Sequence, residues 1–187
     1  LDWHSSIDWQ DADVFLENYP QLEYWGGLLR GFPGLGMRVD KPELPFDDIR
    51  VRRALLMAIN QPEIVETYLG GRGSLCNFKV MPLSGLEGAY TAPEDLPLSA
   101  DGFDNRKLYG YYPDEAKELL AEAGYPDGFQ TEAVMYDGWL YMDHAQMIAA
   151  YWEKIGVDLK IDVKEYGTFM SIYMKKTHKE GLLCGRW

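Results

Sequence analysis

The stretch MYDGWLYMDH, residues 135–144, holds the densest set of side chains in this chain that could grip a ligand. Tyr136, Trp139 and Tyr141 supply large, rigid rings with polar tips, suited to stacking on or covering a small solute. The competing reading is that Trp139 packs over the start of a helix, and the residues alone weigh the two equally. Covalent chemistry finds less support. Ser84-Gly85 in PLSGLEG lacks the GxSxG pattern of a nucleophile elbow. His4, His144 and His178 are scattered, none at ligand spacing from another, so no metal is expected and His144 reads as a packed or half-exposed helix residue. Cys76 and Cys184 make neither a zinc site nor a CxxC motif. They either pair in an oxidising compartment or stay as buried thiols, the second reading being favoured. Gly70, Gly71 and Gly73 follow a helix, whereas a phosphate-cradling loop follows a strand, so they read as cap and turn residues. Acids are plentiful, but nothing selects a pair for two-carboxylate hydrolysis.

A second candidate is LPFDDIRVRRALLMAIN, residues 44–60, with Arg50, Arg52 and Arg53 just behind Asp47 and Asp48. A basic first turn could hold an anion. Yet Val51, Leu55 and Ala58 share one helical face, and Asp47 suits an N-cap. Arg52 and Arg53 lie away from that stripe. The arginines therefore read as scaffold, ion-paired with an acid-rich surface and with part of their stems packed.

The elements that would position these groups alternate. Residues 10–19 read as a helix ended by Pro20, with strands near 22–25 and 35–39. Helices follow at 48–59 and 62–69, the latter stopping at Gly70-Gly71. Residues 72–112 are rich in Gly, Pro, Ser and Asp without a sustained period, which marks a long loop that is functional or carries small elements of its own. Pro113 opens a helix whose stripe is Ala116, Leu119, Leu120 and Ala123, closed by Gly124 and Pro126. A strand spans 129–135, and a helix spans 140–155 with His144, Ile148, Trp152 and Ile155 at helical steps. Residues 157–164 alternate apolar and charged, as a half-buried strand does. Thr168 caps a helix over 169–177, and 182–186 closes as a buried strand. Helix–strand alternation of this kind predicts an α/β layered domain with a mixed, largely parallel central sheet flanked by helices, residues 1–187 forming a single domain.

Composition narrows the function. The chain has 187 residues, long enough to bury a core without staples. A net charge of −12 repels phosphate backbones and sets nucleic acid aside as a partner. No run approaches the ~20 apolar residues of a membrane span, and no signal peptide opens the chain. It begins at Leu1 rather than Met, which suggests a processed or cut-out piece.

The ordered series PFDDIRVRRALLMAIN, EIVETYLGGRG, YYPDEAKELLAEAGYPDGF, AQMIAAYWEKIGVDLKIDVKEYGTFMSIYMKK and LLCGRW resembles the family 5 extracytoplasmic solute-binding proteins of ABC transporters, the oligopeptide, dipeptide and nickel binders. The likeness covers residues 44–187 and, more loosely, 1–43. It implies the second lobe of a two-lobe clamp of the periplasmic-binding-protein kind, the other lobe being absent. Such a clamp closes on a peptide or small-molecule solute in the cleft and presents it to a membrane permease, outside the cytoplasm and either periplasmic or membrane-anchored. The resemblance places residues 77–84, 136–141 and 184–187 on the cleft side, with Trp139, Tyr136, Met81, Arg186 and Trp187 as ligand-binding candidates. Arg186 would meet a carboxylate. It implies no catalytic residue, metal or cofactor. Two departures stand out: Tyr112 replaces the usual Asp before Pro113, removing a side-chain cap, and the loop 72–112 is longer than typical. An isolated lobe exposes an aromatic cleft face open to self-association. A hydrolase using a carboxylate pair in the aromatic cleft, and a sensor domain of a regulator built on the same lobe, are the alternative functions.

Overall fold

The computed structural model describes residues 9–23, 34–71, 91–137 and 139–184. In chain order the elements are α1 Trp9–Asn18, β1 Gly34–Met37, α2 Ile49–Met57, α3 Gln61–Glu63 (continued by a π-helix Ile64–Tyr68), α4 Pro113–Glu122, β2 Phe129–Tyr136, α5 Trp139–Glu153, β3 Val157–Lys164, α6 Tyr166–Lys175 and β4 Gly181–Cys184. The expected strand near 22–25 is not seen at Leu22 and Glu23, and its other residues lie outside the described set. Residues 91–112 carry two short 3₁₀ turns, Pro93–Asp95 and Asn105–Tyr109, and a bridge between Leu98 and Asp104. Residues 72–90 lie outside the description.

The strands form one sheet in the order β1-β4-β2-β3. β2 is parallel to β3 and to β4, and β1 closes the far edge antiparallel to β4. The sheet is thus mixed and largely parallel, as the helix–strand alternation predicts. Parity of the strand residues decides which helix covers which face. Ala133, Val157, Leu159 and Ile161 share one face with the main core, where Val51, Leu55, Leu120, Trp152 and Ile155 pack from α2, α4 and the end of α5. Val134 and Tyr136 turn to the other face, where Phe169, Ile172 and Tyr173 of α6 meet them. Gly128 and Gly156, with φ of +74° and +83°, immediately precede the parallel strands β2 and β3. A Cβ at Gly128 would stand 1.9 Å from the Gly156 carbonyl oxygen, so only glycine lets the strand starts approach this closely.

Three local readings need correction. The cap of α2 is Asp48, not Asp47: its carboxylate accepts from the Arg50 backbone N–H at 2.8 Å. Pro45 sets a 3₁₀ turn, Pro45–Asp47, that buries Phe46 and uses up Asp47, so the helix starts one residue later. Arg53 does not lie away from the core. It is 8% exposed, forks onto Asp101 at 2.7 and 3.0 Å and stacks over Phe103 at 4.1 Å. α6 is capped by Glu165, whose carboxylate accepts from the N–H groups of Gly167 and Thr168, and Thr168 already sits inside the first turn.

The other two arginines are scaffold as expected. Arg50 forks onto Asp48 and donates to the Glu122 carbonyl at the end of α4. Arg52 donates to the carbonyls of Phe46 and Asp47, tying the 3₁₀ turn to the helix. Tyr112 precedes Pro113 with no side-chain cap bond, the consequence expected of losing the usual Asp, and Gly124 takes φ +98° past the end of α4. Trp152 reaches across from α5 and donates its indole N–H to the Leu55 carbonyl at 2.9 Å.

Candidate functional site

The chain leaves β2 toward α5 on one face of the sheet and leaves β3 toward α6 on the other. The connections that leave the carboxyl ends of these two adjacent parallel strands therefore go to opposite faces, and in α/β sheets ligands gather outside such carboxyl ends. Tyr136 and Lys164 sit level at that edge. On the other side of β2, Ala133 pairs with Gly181 and Val134 with Leu182.

Tyr136 is the one ring of the five expected site residues whose surroundings are described. It is half-buried, 5.0 Å from the Phe169 ring and 5.2 Å, edge-on, from that of Tyr166. Phe169 is buried beneath it, whereas Tyr166 is 58% exposed. Trp139 forms the first residue of α5, three positions beyond Tyr136, and its side chain is outside the description. Met81, Arg186 and Trp187 lie outside the described residues, as do all of 77–84 and residues 185–187. The structure therefore brings Tyr136 and the start of α5 to one edge.

Charge at this edge is mixed. Lys164 lies 2.8 Å from Asp162, and Asp137 is exposed. The Gly167 and Thr168 amides at the start of α6 hold the Glu165 carboxyl below the usual carboxylate range. That carboxylate thus occupies the amides a bound anion would otherwise use. The edge suits rings and hydrogen-bonding groups more than a phosphate.

Tyr166 escaped notice in the sequence. Its signal was available: EYG follows directly on an alternating strand, so residue 166 had to leave the sheet at its carboxyl end. Reading Thr168 as the cap moved the helix start three residues too far and left Tyr166 in a featureless linker. His144 packs edge-on against Tyr68 at 5.2 Å. Among the described residues no group of three or more His, Cys, Asp or Glu is placed to hold a metal ion, and no helix is long and apolar enough to cross a membrane.

A mixed sheet with helices on both faces and an open carboxyl edge is the architecture of the periplasmic binding proteins. The structure of HbpA2 from Haemophilus parasuis superposes with a TM-score of 0.63 at 27% identity, over 95% of this chain and 32% of that one. The pattern described as bacterial extracellular solute-binding proteins, family 5 Middle, matches residues 2–181. The chain belongs to that family. It is 32% identical over 150 residues to heme-binding protein A of Haemophilus influenzae, 74% of this chain and 23% of that protein. It is 31% identical over 167 residues to the dipeptide-binding protein of Escherichia coli, 86% of this chain and 26% of that protein. The chain thus spans about a quarter of the length of the curated relatives it matches.

Proposed function

We propose that this chain is one lobe, a single domain, of an extracytoplasmic receptor that captures a peptide or related small solute between two lobes and delivers it to an ABC transporter permease. The observation that carries the reading is the family match over residues 2–181, set on a sheet whose carboxyl edge carries the half-buried Tyr136 and the exposed Tyr166. Trp139, Tyr136, Met81, Arg186 and Trp187 line the cleft side of the lobe, and Tyr166 joins them. The rings stack on the solute and Arg186 meets a carboxylate. The receptor works in the periplasm or anchored on the outer face of the cytoplasmic membrane. It binds without turnover, because recognition here needs surface and hydrogen bonds rather than a reacting group.

The test is calorimetry on the full-length protein with dipeptides, longer peptides, heme and glutathione, followed by mass analysis of the bound solute. A peptide should bind and be recovered unchanged. Tyr166→Ala and Trp139→Ala should each weaken it roughly tenfold or more, as lost aromatic anchors do, at unchanged melting temperature. No binding by any of the four classes, or cleavage of the bound peptide, would overturn the proposal.

A further inference from the structure

β3 has β2 on one side and, among the described residues, no strand on the other. Such an edge presents unpaired N–H and C=O groups that can template a second chain, and natural edges often carry lysines that repel another copy. Here the lysines do not stand alone. Asp158, Lys160, Asp162 and Lys164 alternate along one face of the strand.

We propose that two copies of this chain pair edge to edge through β3, antiparallel about a two-fold axis at Ile161, joining their four-stranded sheets into one. A two-fold axis perpendicular to the sheet keeps each face on its own side, so charged residues meet charged residues. With the axis at Ile161, Asp158 stands opposite Lys164 of the second copy and Lys160 opposite Asp162, and symmetry repeats both pairs. Every charged residue of β3 then faces its opposite sign, and cross-strand pairs of opposite charge stabilise a sheet where like charges destabilise it. Moving the axis one residue to Lys160 sets lysine on lysine and Asp158 on Asp162. Moving it to Asp162 sets aspartate on aspartate and Lys160 on Lys164. With the axis at Leu159 or Val163 only two of these four residues meet each other, also as opposite charges, so the Ile161 register is the one that pairs all four, and the strand is complementary to itself.

The other face agrees. Val163 is 42% exposed although apolar. In this register it comes opposite Leu159 of the second copy. Leu159 borders a shallow groove between α5 and β3, lined also by Ala149, Ala150, Glu153 and Val157. Val163 of each copy therefore covers the mouth of the other's groove, and Ile161 meets its own mate at the axis. The contacts already made by this strand remain compatible: Lys164 with Asp162 at 2.8 Å, Lys160 with Glu132 at 3.7 Å and Gln130 with Asp158 at 3.2 Å all run along the strand or back toward β2.

The pairing is tested by sedimentation of the 187-residue chain from about 1 to about 200 µM, since assembly must follow mass action. Two charge variants accompany it: Lys160→Glu with Lys164→Glu, and Asp158→Lys with Asp162→Lys. The wild type should reach a dimer. Each variant alone should dissociate at least about tenfold more readily, because all four cross-strand pairs become like-charged. An equal mixture of the two should restore a dimer containing one copy of each, an outcome that misfolded variants could not give. A wild type that stays monomeric throughout overturns the proposal. So does self-association that neither variant weakens, which would place the contact on another face, or a mixture that fails to re-form the dimer.

Discussion

Trp152→Phe is the substitution whose cost follows most directly from the geometry. The last-turn carbonyls of a helix have no donor within the helix and must find one elsewhere. The Leu55 carbonyl stands in the last turn of α2 and accepts the Trp152 indole N–H at 2.9 Å, in a core where the Trp152 ring is 2% exposed. Phenylalanine keeps a ring in the site but carries no donor, so the buried Leu55 carbonyl loses its partner. An orphaned buried acceptor costs ~1–3 kcal/mol. The volume lost with the second ring of the indole leaves a void worth about 1 kcal/mol more. The sum is ~2–4 kcal/mol. At this chain length each kcal/mol moves the melting temperature by roughly 2–4 °C, so a fall of roughly 4–16 °C is expected. Thermal and urea unfolding followed by circular dichroism measure it, with the urea slope as a check that the unfolded state is unchanged. A loss below about 1 kcal/mol at an unchanged slope would refute the reasoning, because it would mean that the indole N–H contributes nothing to closing α2.

Asp48→Ala should cost ~1 kcal/mol as a lost helix cap, and Asp47→Ala close to nothing, by the same unfolding assay. The Arg50 side chain holds the Asp48 carboxyl below its ordinary range, so this stability is present above that range and fades as pH falls through the lowered value. The difference between wild type and Asp48→Ala should therefore shrink in acid. Gly128→Ala should cost more than ~3 kcal/mol, since its Cβ would overlap the Gly156 carbonyl as well as strain a positive φ. Gly124→Ala, with open space around its Cβ, should cost only ~1 kcal/mol of backbone strain. Comparable losses at the two glycines would show that the strand starts can separate. Arg52→Ala should lower the melting temperature through the freed carbonyls of Phe46 and Asp47 while leaving solute affinity of the full-length protein unchanged. A large affinity loss at constant melting temperature would contradict that.

The second half of the fold was legible because its signals are local. Pro113 at the first position of α4, Gly124 behind it and the strict alternation of residues 157–164 each depend on a few neighbours in sequence. Where the reading slipped, the deciding partner was elsewhere. Arg53 looks like a surface cation until Asp101 and Phe103, some fifty residues on, close over it. At both shifted caps a carboxylate won over the residue assigned. Asp48 wins because Pro45 commits Asp47 to a preceding turn. Glu165 wins because its longer side chain reaches two amides, at 2.9 and 3.1 Å.

The candidate site was legible as a place and not as a set of contacts. Strand–helix alternation locates the carboxyl edge, and the aromatic run after β2 marks it. Which ring is left available for a ligand depends on side-chain parity and on the partner helix, neither visible in a linear pattern. Tyr136 shares its face with Val134, and that face belongs to α6. Its ring is therefore committed in part to Phe169, and truncating it removes core packing as well as any solute contact. Tyr166 stacks edge-on against Tyr136 from the outer side and keeps more than half of its surface in solvent. A ring already buried has little surface left to remove from water when a solute arrives, whereas an exposed one has most of it still to gain. The burial gradient from Phe169 through Tyr136 to Tyr166 thus runs from core to surface, and within the proposed cleft Tyr166 has more surface left to lose to a solute than Tyr136.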